Sequence, residues 1–254
     1  MNDMSASPVL VGDDGAVRVI RMNRADKKNA LTGEMYAAMA DALAGANKSA
    51  AIRCVLIAGA PGVFCAGNDL HDFQRATEDE EGLSEPILRF LHALAGCRKP
   101  LVAAVQGAAI GVGTTMLLHC DYVVAASDAR FATPFVSLGL VPEAASSLLA
   151  PRLMGQRHAF ALLAMGEALN AEDARMSGLV NRIVAAAEVD AEAMKAAQRI
   201  AALPPDAVLA TRRLMRGAPD DIMARIDEEA DYFKVRLQSE EAKAAFKAFF
   251  ERKK

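Results

Sequence analysis

The sequence predicts an α/β fold with parallel strands, followed by a purely helical C-terminal region. Three observations carry that reading. Short continuous apolar runs, CVLIA at Cys54–Ala58 and LVAAV at Leu101–Val105, alternate with helix-like stretches, as parallel strands buried on both faces do. Hydrophobic residues make up 53% of the 254, yet aromatics only 5% with no Trp, so the core is aliphatic. After Ala187 the strand-like runs cease and helical patterning alone continues to the C-terminus.

Taken in order, Val9–Val11 and Val17–Met22 flank Gly12-Asp13-Asp14-Gly15 and predict a hairpin. Thr32 caps a helix to about Asn47, with Met35, Met39 and Leu43 at spacing four. CVLIA ends at Gly59-Ala60-Pro61-Gly62 and is a buried strand. The acidic stretch Glu78–Glu81 reads as a solvated loop, Glu85–Cys97 as a helix, and Pro100 opens the strand LVAAV. A glycine-rich turn, Gly107–Gly113, leads to a short helix over Thr114–His119 and a strand over Tyr122–Ala125. Pro142 suits the first position of a helix. Asn170 caps a short helix that Gly178 ends, and LVNRIV follows as a strand. Pro204-Pro205 and Gly217-Ala218-Pro219 divide the remainder into three helices. A boundary near residue 190 separates a core, 1–190, from a helical region, 191–254.

Composition excludes several classes of function. Lys and Arg number 29 against 32 Asp and Glu, a net charge of −3, so no basic face for nucleic acid is expected. So few aromatics also leave little to stack bases on. Cys54, Cys65, Cys97 and Cys120 form no CxxC and no paired spacing; they read as buried thiols in a reducing compartment. The N-terminal residues lack a basic region followed by an apolar one, no apolar run approaches a membrane span, and the last residues carry no peroxisomal address. A cytoplasmic protein without a membrane partner is the expectation.

Two glycine turns, each leaving a buried strand, are candidate chemistry. VAAVQGAAIGVGTTMLL places Gly107-x-x-x-Gly111-x-Gly113 between a strand and a helix. That arrangement also suits a dinucleotide-binding turn, but it falls mid-chain, and none of Tyr36, Tyr122 and Tyr232 has a Lys four residues later. The alternatives are tight helix–strand packing or exposed amides that hold an oxyanion. In FCAGNDL, Gly67 can aim the Asn68 N–H outward and Asp69 can cap the turn that follows. His71, His92, His119 and His158 lack ligand spacing, so no metal is expected, and neither a GxSxG elbow nor a P-loop occurs. Glu143, in a stretch otherwise free of charge from Ala132 to Pro151, is either a first-turn acid favoured by the helix dipole or a base in an apolar setting.

RADKKNAL, FCAGNDL, KPLVAAVQGAAIGVG and CDYVVAASDARFATPFVSLGLVPEAASS together resemble the enoyl-CoA hydratase/isomerase (crotonase) superfamily. The resemblance implies a crotonase-like spiral of ββα repeats with a C-terminal helical trimerisation region, as a homotrimer or hexamer. It implies an acyl-CoA substrate and no separate cofactor, coenzyme A being part of the substrate. The oxyanion amides then fall on Asn68 and Val112, and Ala66, Gly67, Asn68, Asp69, Leu70, Gly111 and Lys28 on the substrate site. Arg24, Lys27 and Lys28 precede the segment where such proteins meet coenzyme A, and Arg252, Lys253 and Lys254 are further candidates. Phe73, Leu88, Leu91, Phe135 and Leu138 are candidates for the acyl pocket.

The chain departs from the hydratase pattern at both catalytic positions, where Thr115 and Phe135 replace glutamates. Without that pair, addition of water lacks its acid and base. Glu143 instead matches the glutamate of peroxisomal-type Δ3,Δ2-enoyl-CoA isomerases, in a similar Pro-Glu-x-x-x-Ser stretch. The expected activity is therefore transfer of a 3-enoyl double bond to the 2-position through Glu143. A 2-enoyl-CoA hydratase and a non-catalytic acyl-CoA-binding protein are the alternatives.

Overall fold

The computed structural model describes residues 7–69 and 82–251, and within the last helix it leaves the side chains of residues 249 and 250 aside. In chain order the strands are β1 (Val9–Asp14), β2 (Val17–Met22), β3 (Cys54–Ala58), β4 (Leu101–Val105), β5 (Ala108–Ile110), β6 (Tyr122–Ala126), β7 (Arg130–Ala132), β8 (Leu169–Asn170) and β9 (Arg182–Val184). The helices are α1 (Gly33–Lys48), α2 (Glu85–Ala95), α3 (Val112–Thr115), α4 (Ser146–Leu163), α5 (Ala171–Met176), α6 (Val189–Ala201), α7 (Pro205–Arg216), α8 (Pro219–Leu237) and α9 (Glu240–Glu251).

β1 and β2 form the expected hairpin, and β2, β3, β4, β6 and β9 then pair in parallel, giving the sheet order β1-β2-β3-β4-β6-β9. Every residue of β3 and β4 is buried, which is why both read as unbroken apolar runs. α1 begins where Thr32 accepts the Met35 N–H, and α5 where Asn170 accepts the Asp173 N–H. α1 packs on α2, with the Tyr36 and Phe90 rings 5.4 Å apart.

A second sheet, β5-β7-β8, did not show in the sequence. Its strands are two or three residues long, too short for a period to register. Cys65 bridges to Ala109 alongside it, so the small sheet carries the FCAGND turn as well as the glycine-rich one.

Two expectations about the C-terminal region need correction. α6 is a core helix: Val189, Ala193, Ala197 and Ala201 form a stripe of small buried residues that lies on β3, β4 and β6. Residue 190 therefore falls inside the first unit of packing. The expected last helix is two, α8 and α9, because Ser239 accepts the Ala242 N–H and starts a new one. α8 buries Ile222, Ile226, Phe233 and Leu237 against its own chain. No described helix is long and apolar enough to cross a membrane.

Candidate active site

The two glycine turns are stitched together by backbone. Cys65 N–H donates to the Ala108 carbonyl at 3.0 Å, and Ile110 N–H returns to the Cys65 carbonyl at 2.9 Å. Gly67 has φ of 91°, and a Cβ there would stand 3.1 Å from the Ile110 carbonyl oxygen. Gly111, at φ 56° and ψ −121°, turns the chain into α3 so that Val112 is its first residue. Among the described residues, neither the Asn68 nor the Val112 N–H meets a backbone acceptor. Both turns lie on one cavity wall, which suits the pair for holding an oxyanion.

The Asn68 side chain is tied down. Tyr36, fully buried in α1, donates its hydroxyl to Asn68 Oδ1. Burial pushes the Tyr36 phenol well above its ordinary range, the Glu143 carboxyl acting in the same direction, so the phenol keeps its proton.

Glu143 does not lie in a helix, contrary to the expectation that Pro142 opens one. α4 starts only at Ser146, because Ala144 and Ala145 both adopt left-handed φ, 63° and 54°. Such a conformation costs roughly 1–2 kcal/mol at each non-glycine residue. Packed groups hold the turn. The Ser146 hydroxyl donates to the Glu143 carbonyl at 2.6 Å, and His119 Nε2 donates to the Ala144 carbonyl at 2.8 Å. Burial lowers the His119 pKa to about 4, leaving a neutral ring that braces the backbone.

The reversed turn buries the Glu143 side chain to 2% exposure. Its Oε1 accepts the Thr115 hydroxyl at 2.5 Å. Burial pushes its pKa up to about 8; the Thr115 hydrogen bond opposes this, and Glu229 of α8 reinforces it. Of the two readings from sequence, the desolvated carboxyl is the one the fold produces.

A cavity of about 480 Å³ opens over the two turns. Ala66, Gly67, Asn68, Asp69, Gly111 and Lys28 line it. Phe135 and Leu138 line it too, joined by Phe233 and Phe246 from α8 and α9, which sequence reasoning missed. Leu91 is a core residue and Leu88 packs against the core, neither on the cavity wall, because α2 faces α1. Leu70, Phe73 and Arg252–Lys254 lie outside the described residues. Lys27 and Lys28 stand exposed at the cavity. Arg24 also lines it, but is committed to Asp69 at 2.6 Å and to the Ala30 carbonyl at 3.0 Å. The turn that Asp69 was expected to cap lies outside the described residues.

Parallel strands that carry two glycine turns on one wall of a largely apolar cavity point to the crotonase superfamily. The family description for enoyl-CoA hydratase/isomerase matches residues 12–254, and the chain belongs to that family. It is 34% identical over 250 residues to enoyl-CoA delta isomerase 2 of Rattus norvegicus, covering 96% of this chain and 64% of that protein's length. It is 32% identical over 257 residues to crotonyl-CoA hydratase of Syntrophomonas wolfei, covering 99% of this chain and 98% of that one. Among solved structures, an enoyl-CoA hydratase/isomerase from Pseudoalteromonas atlantica superposes with a TM-score of 0.91 at 42% identity, covering 97% of this chain and 98% of that one.

Proposed function

We propose that the protein moves the double bond of a 3-enoyl-CoA to the 2-position. Glu143 removes the α-proton and returns it to the γ-carbon, while the Asn68 and Val112 amides hold the thioester oxygen as the dienolate forms. An α-proton of a thioester is a weak acid, so its removal depends on stabilising that oxygen. Two preorganised donors supply about 3 kcal/mol each, by analogy with other oxyanion holes. The same proton leaves and returns, so one carboxyl suffices.

The observation that carries this reading is the bond between Thr115 and Glu143. Thr115 stands where the resembling hydratases have one glutamate, and Phe135, where they have the other, is an apolar cavity wall. The Glu143 carboxyl, near neutral in pKa, suits both acceptance and return of a proton. At 2% exposure it faces Thr115, so this mechanism includes a step in which the bound acyl chain draws the carboxyl into contact with its α-carbon. The exposure of Lys27 and Lys28 at the cavity supports their contact with the coenzyme A phosphates, and the exposed Leu214 and Met215 of α7 suit a homotrimer contact.

The test is Glu143→Gln, assayed on 3-enoyl-CoAs of several chain lengths with 2-enoyl hydration in parallel. Isomerisation is expected to fall by about a thousandfold or more, with acyl-CoA binding retained. Near wild-type turnover in the variant overturns the proposal, and hydration exceeding isomerisation in the wild type replaces it with a hydratase. Binding without any turnover in the wild type favours a non-catalytic acyl-CoA-binding protein.

A further inference from the structure

Glu229 is a further carboxyl buried near the candidate site, at 5% exposure, and it comes from the C-terminal helix α8. It lies on the same stripe as Ile226 and Phe233, so the helix cannot turn it to solvent without losing its packing. Its Oε1 accepts the Ser147 N–H at 2.9 Å, while its Oε2 is buried with no hydrogen-bond partner among the described residues. One turn earlier, Arg225 donates to the Ser147 hydroxyl at 3.2 Å and pairs with Glu228 at 2.9 Å. Further along, Arg236 donates to the Gly139 carbonyl at 3.1 Å. α8 thus grips the segment that carries Glu143 on both sides of it. Ser146, next to Ser147, holds the Glu143 carbonyl.

A glutamine would turn an NH2 toward the Ala145 and Ser147 donors, whereas a carboxylate accepts from both and brings a charge near Glu143. We propose that Glu229 is a positioning residue for the reaction: it locks the start of α4 behind the Glu143 turn, and its charge sets how tightly Glu143 holds its proton. This rests on Glu143 being the base. The C-terminal helix is then part of the proton-transfer machinery of its own chain.

Among the described residues, Glu143 accepts from Thr115 of α3, its charge acts on Tyr36 of α1 and Cys65 of the FCAGND turn, and that of Glu229 of α8 acts on it. Tyr36 and Cys65 keep their protons, since burial raises both. Glu229 faces the backbone at Ala145 and Ser147, and Arg225. Burial raises the Glu229 carboxyl as well, against those hydrogen bonds and Arg225. Two buried carboxyls that sense one another release their protons as a coupled pair, each ionisation hindering the other.

The experiment is Glu229→Gln in the full chain, read in two ways. The first is the pH profile of kcat/KM for a 3-enoyl-CoA; the second is direct titration of the Glu143 carboxyl by NMR of isotope-labelled glutamate, assigned with Glu143→Gln. Removal of the like charge is expected to move the acid limb and the Glu143 titration to lower pH by roughly half a unit or more. Reciprocally, Glu143→Gln is expected to lower the Glu229 titration, which keeps the test open if Glu229→Gln does not fold. Titration curves that superimpose on the wild type overturn the proposal, as does a uniform loss of turnover with no shift in pH. If Glu143→Gln stays active while the titrations still move, the base assignment fails and the coupling stands.

Discussion

Thr115 donates its hydroxyl to the Glu143 carboxyl at 2.5 Å, inside a pocket where both are buried. The two residues are 28 apart in sequence and meet because α3 is one turn long. Val112 opens that turn and offers its amide to the cavity; Thr115 closes it and fixes the carboxyl. One short helix therefore sets the separation between the proposed oxyanion donor and the proposed base.

Thr115→Val removes the hydroxyl while keeping its shape. The hydrogen bond favours the ionised carboxyl, so its loss raises the Glu143 pKa further above about 8. Turnover near pH 7 is expected to fall roughly 10- to 100-fold, with the acid limb displaced to higher pH, since a hydrogen bond to a charged group contributes about 1.5–3 kcal/mol. Thr115→Ser is expected to recover most of the loss. A valine variant with an unmoved pH profile refutes the assignment.

Glu143→Gln has a stability signature separate from activity. The folded-state pKa of about 8 lies above the ordinary 4.5, so the fold favours the protonated acid. That favourable contribution is full below about 4.5 and is lost as pH rises through about 8. The wild type is expected to lose as much as roughly 4 kcal/mol relative to the variant across that interval. Urea unfolding of both proteins at about pH 5 and about pH 9 checks it; a stability difference that does not change with pH contradicts it.

Gly67→Ala strains the turn that presents the Asn68 amide. Its φ of 91° disfavours any Cβ, and the added atom meets the Ile110 carbonyl oxygen at 3.1 Å. A loss of about 1–3 kcal/mol in stability is expected. Turnover is expected to drop at least about tenfold as the amide leaves its position. Chemical denaturation together with kcat measurement tests both, and an alanine variant of wild-type kcat counts against Asn68 as a donor.

Tyr36→Phe keeps the ring contact with Phe90 but removes the hydroxyl that Asn68 Oδ1 accepts. Asn68 is half-buried at the cavity, so loss of this hydrogen bond costs about 0.5–1.5 kcal/mol. The oxyanion turn loosens, so kcat is expected to fall about tenfold while KM changes little. Equal loss in both parameters, or none, means that Tyr36 only fills the core.

Much of this was legible beforehand. CVLIA and LVAAV are strands at the residues read from sequence, since a strand buried on both faces has no polar position to blur its ends. The glycine turns were legible because positive φ and close backbone approach leave few other residue types suitable. Tyr36 was hidden: on a helix with Met35 and Met39 it reads as ordinary core, and nothing local shows that its hydroxyl ends on Asn68. Glu229 was hidden within the acidic run Asp227–Glu229, although its place three residues after Ile226 and four before Phe233 puts it on the buried face.

The sequence by itself determined which segments are strands, where backbone amides are exposed, and that a lone carboxylate stands in an apolar stretch. Those properties follow from local sterics and burial patterns, which act over a few residues. Only the tertiary structure decided that Pro142 opens no helix, that consecutive left-handed alanines turn Glu143 inward, and that α8 returns to brace it. Such outcomes depend on contacts between residues 28 and 82 positions apart, Thr115 with Glu143 and Ser147 with Glu229. A left-handed alanine is costly locally and persists only where such packing outweighs the strain.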